Sequence, residues 1–302
     1  MMRVAVTGAT GYVGRFIVNN LLSSGHHVMA LGRKAPERDI FDKNVEFRQF
    51  SLDHQALSSA LFNGTDALVH AAFHHDAGKY RGGEGNDPDG FIKRNVDGTN
   101  ALFETAKNAG VKRVIFLSSR AIYGTQEPGL TLMEDTPPKP DTLYGQVKLE
   151  TENALAALAS GDFLPISLRA TGIYGSPSKR YEHKWSELFK QYSNGTKIAP
   201  RIGTEVHGDD LAAAVNLLLH LDTNQLHMDD AHKPAIFNVS DILLDRHELL
   251  KAYGNLIGKA HLPLPNKSDA SAYNQMDCTR LRSLGWQPRE KLDLSGLTHD
   301  ID

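Results

Sequence analysis

A single cysteine, Cys278, excludes any internal disulfide and any metal site assembled from several thiolates. Its expected state is an ordinary small side chain in the core. Net charge is nearly absent, with 33 basic against 36 acidic residues, so nothing electrostatic calls for a nucleic-acid or anionic-membrane partner. No apolar run approaches the ~20 residues that cross a bilayer. No charged leader with a long apolar stretch precedes Arg3-Val4-Ala5-Val6, so a cytoplasmic protein is expected. Adjacent His74 and His75, and His227 with His232, lack carboxylates or thiols at ligand spacing, so no metal is expected.

What is present is ordinary globular composition, 40% hydrophobic and 23% charged, over 302 residues. That length suits an enlarged α/β domain or two lobes. Short runs apolar on both faces, expected as strands over 3–7, 27–31, 45–49, 67–71, 113–118 and 165–169, alternate with helical periodicity over 14–23, 55–62, 92–109 and 144–159. Right-handed crossovers between such strands give a doubly wound parallel sheet, the Rossmann arrangement. Beyond Arg169 the pattern loosens into a helix within 176–200, another over 209–219, a strand over 235–239 and further helices after 246. The expected division is a dinucleotide-binding domain over 1–170, rejoined by 206–242, with a small C-terminal substrate lobe from 171–205 and 243–302. Trp185 and Phe189, four apart, fit the core of that lobe, and the loop 78–90 with His74 and His75 is expected to form a mobile flap over the substrate.

The first strand runs into Thr7-Gly8-Ala9-Thr10-Gly11-Tyr12-Val13-Gly14 and then a helix. Glycines three apart let backbone approach a pyrophosphate, and the helix start offers N–H groups to it. The second strand ends in Gly32-Arg33-Lys34, with no carboxylate for a ribose 2′-hydroxyl. Arg33 suits the 2′-phosphate of NADP, so NADP is expected over NAD. Asp53 is placed to accept from the adenine amino group, and Ala71 and Ala72, after the fourth strand, line the same crevice.

Tyr144 and Lys148 stand four apart on one helix face. An ammonium beside a phenol stabilises the phenolate, making Tyr144 a proton donor or acceptor near neutrality. The preceding strand ends in Ser118-Ser119, followed by Ile122-Tyr123-Gly124.

These residues resemble the extended short-chain dehydrogenase/reductases, the group of NAD-dependent epimerases and dehydratases. The likeness continues through Leu168-Arg169, Ile173-Tyr174-Gly175, Val206-His207-Gly208-Asp209-Asp210, Phe237-Asn238-Val239 and Leu284-Gly285-Trp286-Gln287-Pro288. It implies an NAD(P)-binding oxidoreductase or epimerase acting on a small molecule. Tyr144 would be the acid/base, Lys148 would bond the nicotinamide ribose, and Ser119, four before Tyr123, would hold the substrate oxygen. Asn95 falls where the family's supporting asparagine lies, and the family's habit of pairing helices is compatible with a homodimer.

The departures concern substrate. Dehydratases of this type carry an acid after the catalytic hydroxyl, where this chain has Arg120 and Ala121. Nucleotide-sugar epimerases commonly have an asparagine where Gly172 stands, and an arginine where Gly203 stands, with Arg201 nearby as a substitute. A diphosphate without its bidentate arginine is poorly held. The weakened clamp and Arg33 favour net oxidoreduction, while the family's overall composition favours epimerisation, so the residues leave open a nucleotide-sugar epimerase with its cofactor regenerated in place. A non-catalytic NADP-binding redox sensor is the alternative that the Tyr144/Lys148 pair weighs against.

Overall fold

The computed structural model describes residues 1–37, 39–53, 57–75, 83–177, 182–226 and 235–297. Its frame is a seven-stranded parallel sheet. The strands are β1 (Arg3–Thr7), β2 (His27–Gly32), β3 (Glu46–Gln49), β4 (Ala67–His70), β5 (Arg113–Ser119), β6 (Leu164–Ala170) and β9 (Ala235–Val239). Their spatial order is β3-β2-β1-β4-β5-β6-β9, so the winding reverses between β1 and β4. A crevice must open there at the carboxyl ends of the strands. All seven segments are those expected from apolar runs, within one residue at each end.

Both faces of the sheet are covered, which is why its strands carry apolar side chains on each side. On one face, helix α1 (Tyr12–Ser23) and helix α6 (Gly208–His220) bury Phe16, Ile17, Leu21, Leu211, Val215 and Leu218 against Val4, Val6, Ile115 and Ile166. On the other, Leu102 and Phe103 of helix α3 (Gly98–Asn108) and Leu155 of helix α4 (Leu143–Ala157) meet Ala5, Leu68, Val114 and Phe116. Helix α1 ends where Gly25 turns to φ +83°, with the Ser24, Gly25 and His26 N–H groups closing back on its last carbonyls.

The helix expected over 92–109 is in fact α2 (Pro88–Ile92), a π turn at Lys93–Asp97 and α3 in succession. The wider turn is invisible to a 3.6-residue period, and such bulges concentrate at functional sites. The helix expected over 55–62 is a short 3-10 turn, Ser59–Phe62, capped by the Ser58 hydroxyl.

A second, three-stranded sheet comes from the loosely patterned part of the chain. It consists of β7 (Gly172–Tyr174), β8 (Ile202–His207) and β10 (Ile242–Asp245) in the order β10-β8-β7. None of these short segments alternates strongly enough to be read as a strand. The helix expected within 176–200 is the eight-residue α5 (Ser186–Ser193). It packs on α7 (Arg246–Leu256) through Phe189 stacked on Tyr253 at 3.7 Å, while Trp185 stacks on Tyr174 at 5.0 Å. Trp185 and Phe189 are thus buried in a hydrophobic cluster of their own with Tyr174, Tyr192 and Tyr253. A final turn, α8 (Thr279–Ser283), follows Cys278, whose buried thiol bonds to Ser240 and is pushed up to about 12 by burial. No helix among the described residues is long and apolar enough to cross a membrane.

Candidate active site

The β1–α1 connection lies at the reversal of strand order. Gly8 has φ +66°, and a Cβ there would come within 2.7 Å of the Ala72 nitrogen. A Cβ on Gly14 would lie 2.1 Å from the Gly8 carbonyl oxygen. Only hydrogen fits at either position, so strand, turn and helix close on one another without side chains between them. Helix α1 starts at Gly11, which has no side chain to cap it, so its first turn offers the N–H groups of Val13 and Gly14 to an anion. Thr10 belongs to the same turn, and its carbonyl accepts from Arg15 Nε at 2.9 Å, a brace the sequence reading missed. The half-buried Tyr12 ring meets Phe16 edge-on at 5.7 Å, and its hydroxyl donates to the Gly175 carbonyl at 2.7 Å. The cradle thus fits the pyrophosphate of a dinucleotide.

Ala71 and Ala72 close the other wall, their N–H groups bonded to the Thr7 carbonyl at 3.3 Å and the Thr7 hydroxyl at 3.2 Å. The Thr7 hydroxyl also meets His70 Nδ1 at 2.7 Å, and His70 Nε2 meets the Thr99 hydroxyl at 3.1 Å. Burial, with the Lys148 charge adding to it, pushes His70 down to about 3, so it is neutral and serves as a fixed bridge between cradle and helix α3. Nothing local in the sequence distinguishes His70 from a strand-end polar residue.

At the adenosine end, Arg33 is exposed at the close of β2. The Asp53 carboxylate accepts from the Ser51 hydroxyl at 2.6 Å; that bond, with Arg94, His74 and Arg33 adding to it, holds Asp53 below the usual carboxylate range.

The catalytic candidates gather at the end of β5. Ser118 is 5% exposed, whereas Ser119 is half-buried, and its hydroxyl accepts from the Ala121 N–H at 3.1 Å. That leaves the Ser119 O–H proton to donate outward. Thr142 caps helix α4 by accepting from the Gly145 N–H at 3.1 Å, which fixes Tyr144 in the first turn. The Tyr144 ring meets Phe73 edge-on at 5.1 Å, and Lys148 Nζ lies 5.9 Å from the Tyr144 ring centre. Lys148 is buried between the faces of Phe73 and Phe116, donates to the Leu117 carbonyl at 2.7 Å, and is pushed down to about 7 by burial.

Asn95 sits within the π turn and is buried. Its side chain donates to the His74 carbonyl at 2.8 Å and accepts the His74 N–H at 2.7 Å. It therefore pins the start of the loop that carries His74 and His75. Residues 76–82 of the loop expected to form a flap over the substrate, and His227 and His232, lie outside the described residues. Among the described residues no group of three or more His, Cys, Asp or Glu side chains could hold a metal ion.

Two further features stand beside this site. Glu152 of α4 and Arg169 of β6 form a buried ion pair, and Arg169 Nη1 also donates to the Tyr123 hydroxyl at 3.0 Å, which in turn bonds Asn238 at 2.7 Å. Glu152 lies eight positions after Tyr144 on the same face, a helical spacing that could have flagged it. Past Ala170, which pairs with Ser119, the Lys184–Glu205 ion pair covers Gly172. A Cβ on Gly172 would lie 2.4 Å from the Glu205 carboxylate, so the pair occupies the space of any larger residue.

Comparison with known proteins agrees with this geometry. The sequence model of the NAD dependent epimerase/dehydratase family matches residues 4–239. The UDP-glucose 4-epimerase of Lactobacillus helveticus is 25% identical, over 96% of this chain and 93% of its own. The dTDP-6-deoxy-L-talose 4-dehydrogenase (NAD(P)(+)) of Kitasatospora kifunensis is 28% identical, over 96% of this chain and 92% of its own. Among solved structures, the Thermus thermophilus UDP-glucose 4-epimerase in complex with NAD superposes with a TM-score of 0.77 at 25% identity, covering 99% of this chain and 98% of that one. The chain belongs to the NAD-dependent epimerase/dehydratase family, and is an NAD(P)-dependent enzyme of the extended short-chain dehydrogenase/reductase type.

Proposed function

We propose that the protein is an NADP-preferring oxidoreductase that interconverts a carbinol and its carbonyl on a small molecule. The observation that supports this reading is Lys148, four after Tyr144 on α4, bonded at 2.7 Å to the Leu117 carbonyl two residues before Ser119, beside a side-chain-free cradle. The cradle residues Gly8, Thr10, Gly11, Tyr12, Val13 and Gly14, with Ala71 and Ala72, hold the dinucleotide, Arg33 takes the 2′-phosphate and Asp53 the adenine. The bound nicotinamide supplies hydride chemistry at the substrate carbon. Tyr144 moves the proton of the substrate hydroxyl, and Ser119 donates a hydrogen bond to the same oxygen. Lys148 bonds the ribose and, when protonated, favours the Tyr144 phenolate.

Net oxidoreduction is favoured over epimerisation by what surrounds Gly172. A carboxylate from Glu205 stands where an epimerase of nucleotide sugars commonly presents a neutral amide, and Gly203 offers no arginine to a diphosphate. The second reading, a nucleotide-sugar epimerase, is favoured by the relatives that carry that name.

The test is fluorescence titration with NADPH and NADH, alongside Arg33→Ala. The proposal predicts an NADPH preference that falls by about ten-fold or more in the variant, the loss of one charged contact. Tight binding of NAD with no NADPH preference would overturn the oxidoreductase reading and send the search to sugar epimers.

A further inference from the structure

One buried guanidinium is bonded to both of the segments that carry the proposed proton-handling groups. Arg169 of β6 is 4% exposed and Glu152 of α4 is 2% exposed. Arg169 Nε donates to the two Glu152 oxygens at 3.1 and 3.3 Å, and Nη2 donates to Glu152 Oε1. Glu152 lies four residues after Lys148 and eight after Tyr144, so the pair grips the face of α4 that carries both. Arg169 Nη1 serves the other segment, donating to the Tyr123 hydroxyl at 3.0 Å and to the Glu134 carbonyl at 2.8 Å. Tyr123 ends the 3-10 turn Arg120–Tyr123, which Ser119 caps at its start. The guanidinium also lies 5.0 Å from the Tyr123 ring centre, and the Tyr123 hydroxyl passes its own proton to Asn238 of β9 at 2.7 Å.

A buried ion pair is costly to desolvate, and apolar side chains of similar volume often replace one with no loss of stability. What the ions add is direction, because the planar fork of arginine accepts its partners only at set angles. We propose that Arg169 and Glu152 are positioning residues, holding Tyr144 on α4 and Ser119 at the end of β5 so that both reach one substrate oxygen. Two further contacts join α4 to the end of β5. Lys148 donates to the Leu117 carbonyl at 2.7 Å, and a Cβ on Gly145 would come within 2.5 Å of the Ala121 carbonyl oxygen. Both lie in the first two turns of α4, and neither sets the tilt of the helix about that end. Glu152, in the third turn, supplies the fixed point that does. A shift on the order of 1 Å between reacting groups costs on the order of 100-fold in rate, so a lever of this kind acts on turnover more than on affinity. The inference rests on the reading of Tyr144 as the acid/base and adds to it the residues that set its geometry.

The experiment is steady-state NADPH oxidation by the full chain, with the fastest carbonyl from a panel of aldehydes, ketones and keto-sugars. NADPH affinity is measured by fluorescence on each variant. Glu152→Gln keeps the shape and removes the charge; it should lower kcat by about 30-fold while KM and the NADPH dissociation constant stay within about three-fold. Tyr123→Phe, which leaves the Glu152 pair in place, should lower kcat by about five-fold. In a Tyr144→Phe background the Glu152→Gln effect should shrink to about three-fold or less, since no phenol remains to be positioned. Equal losses in both backgrounds would overturn the proposal and make the pair merely structural. So would an unchanged kcat in Glu152→Gln, or a fall in kcat matched by a rise in KM or weaker NADPH binding. Where Glu152→Gln fails to fold, Tyr123→Phe decides alone, and an unchanged kcat there overturns the proposal. A wild type that binds NADPH and reduces no member of the panel would instead defeat the oxidoreductase reading itself.

Discussion

The cradle at β1–α1 and the segment around Gly172 both depend on glycine, for opposite reasons. At Gly8 and Gly14 the absent side chain lets backbone meet backbone, and any Cβ collides with a carbonyl or amide that cannot move aside. At Gly172 the space is filled by the Lys184–Glu205 pair, whose flexible ends can be redrawn. The first device recognises what every dinucleotide shares. The second is written in side chains, and a family can vary it to change substrate while the cradle stays fixed.

The contrast breaks most visibly at the cradle. Gly14→Val should abolish or weaken NADPH binding by on the order of 100-fold in a titration, because the new side chain forces α1 off the Gly8 turn. Unchanged affinity would mean that the turn is not the phosphate site.

Lys148 gives a prediction of intermediate size. Burial lowers its folded pKa to about 7 from the ordinary 10.5, so between those values the unfolded chain binds more protons. Wild-type stability therefore rises with pH across that window. Lys148→Met removes the dependence, and its Tm relative to wild type should fall by about 5 °C as pH rises from 7 to 10. A constant Tm difference would show that the ammonium is not desolvated.

The smallest effect is expected at the variable side. Glu205→Gln should leave NADPH affinity unchanged and shift the KM of a carbonyl substrate by about five-fold or less, since the ion pair is partly solvated. A loss of cofactor affinity instead would erase the distinction between the two regions.

The same contrast explains what could be read from the residues alone. The sheet was legible because its central strands are continuous apolar runs, whereas the edge strand β3 is exposed or half-buried, and because the crossover helices α1 and α4 carry their own period. The Gly8–Gly14 turn was legible because its glycines are demanded by local geometry. The three short strands β7, β8 and β10 were not, because they pair across distant parts of the chain and carry mixed, half-buried patterns. In the site, Tyr144 and Lys148 were singled out by their spacing of four, and Ser119 by its resemblance to the family's strand end. His70 and Glu152 acquire their roles only through partners distant in sequence: Thr7 and Thr99 for His70, Arg169 for Glu152. The π turn that holds Asn95 against the His74 backbone differs from a regular helix by a single inserted residue, which periodicity cannot register.

The most direct measurement of the central claim is turnover of Tyr144→Phe with NADPH across a panel of aldehydes, ketones and keto-sugars, paired with its NADPH affinity. Loss of the phenolic proton should cut turnover by about 10²- to 10⁴-fold while the dissociation constant stays within about three-fold of wild type. Turnover at the wild-type rate would contradict the assignment of Tyr144 as the acid/base, and with it the reading of this crevice as a site of proton and hydride exchange.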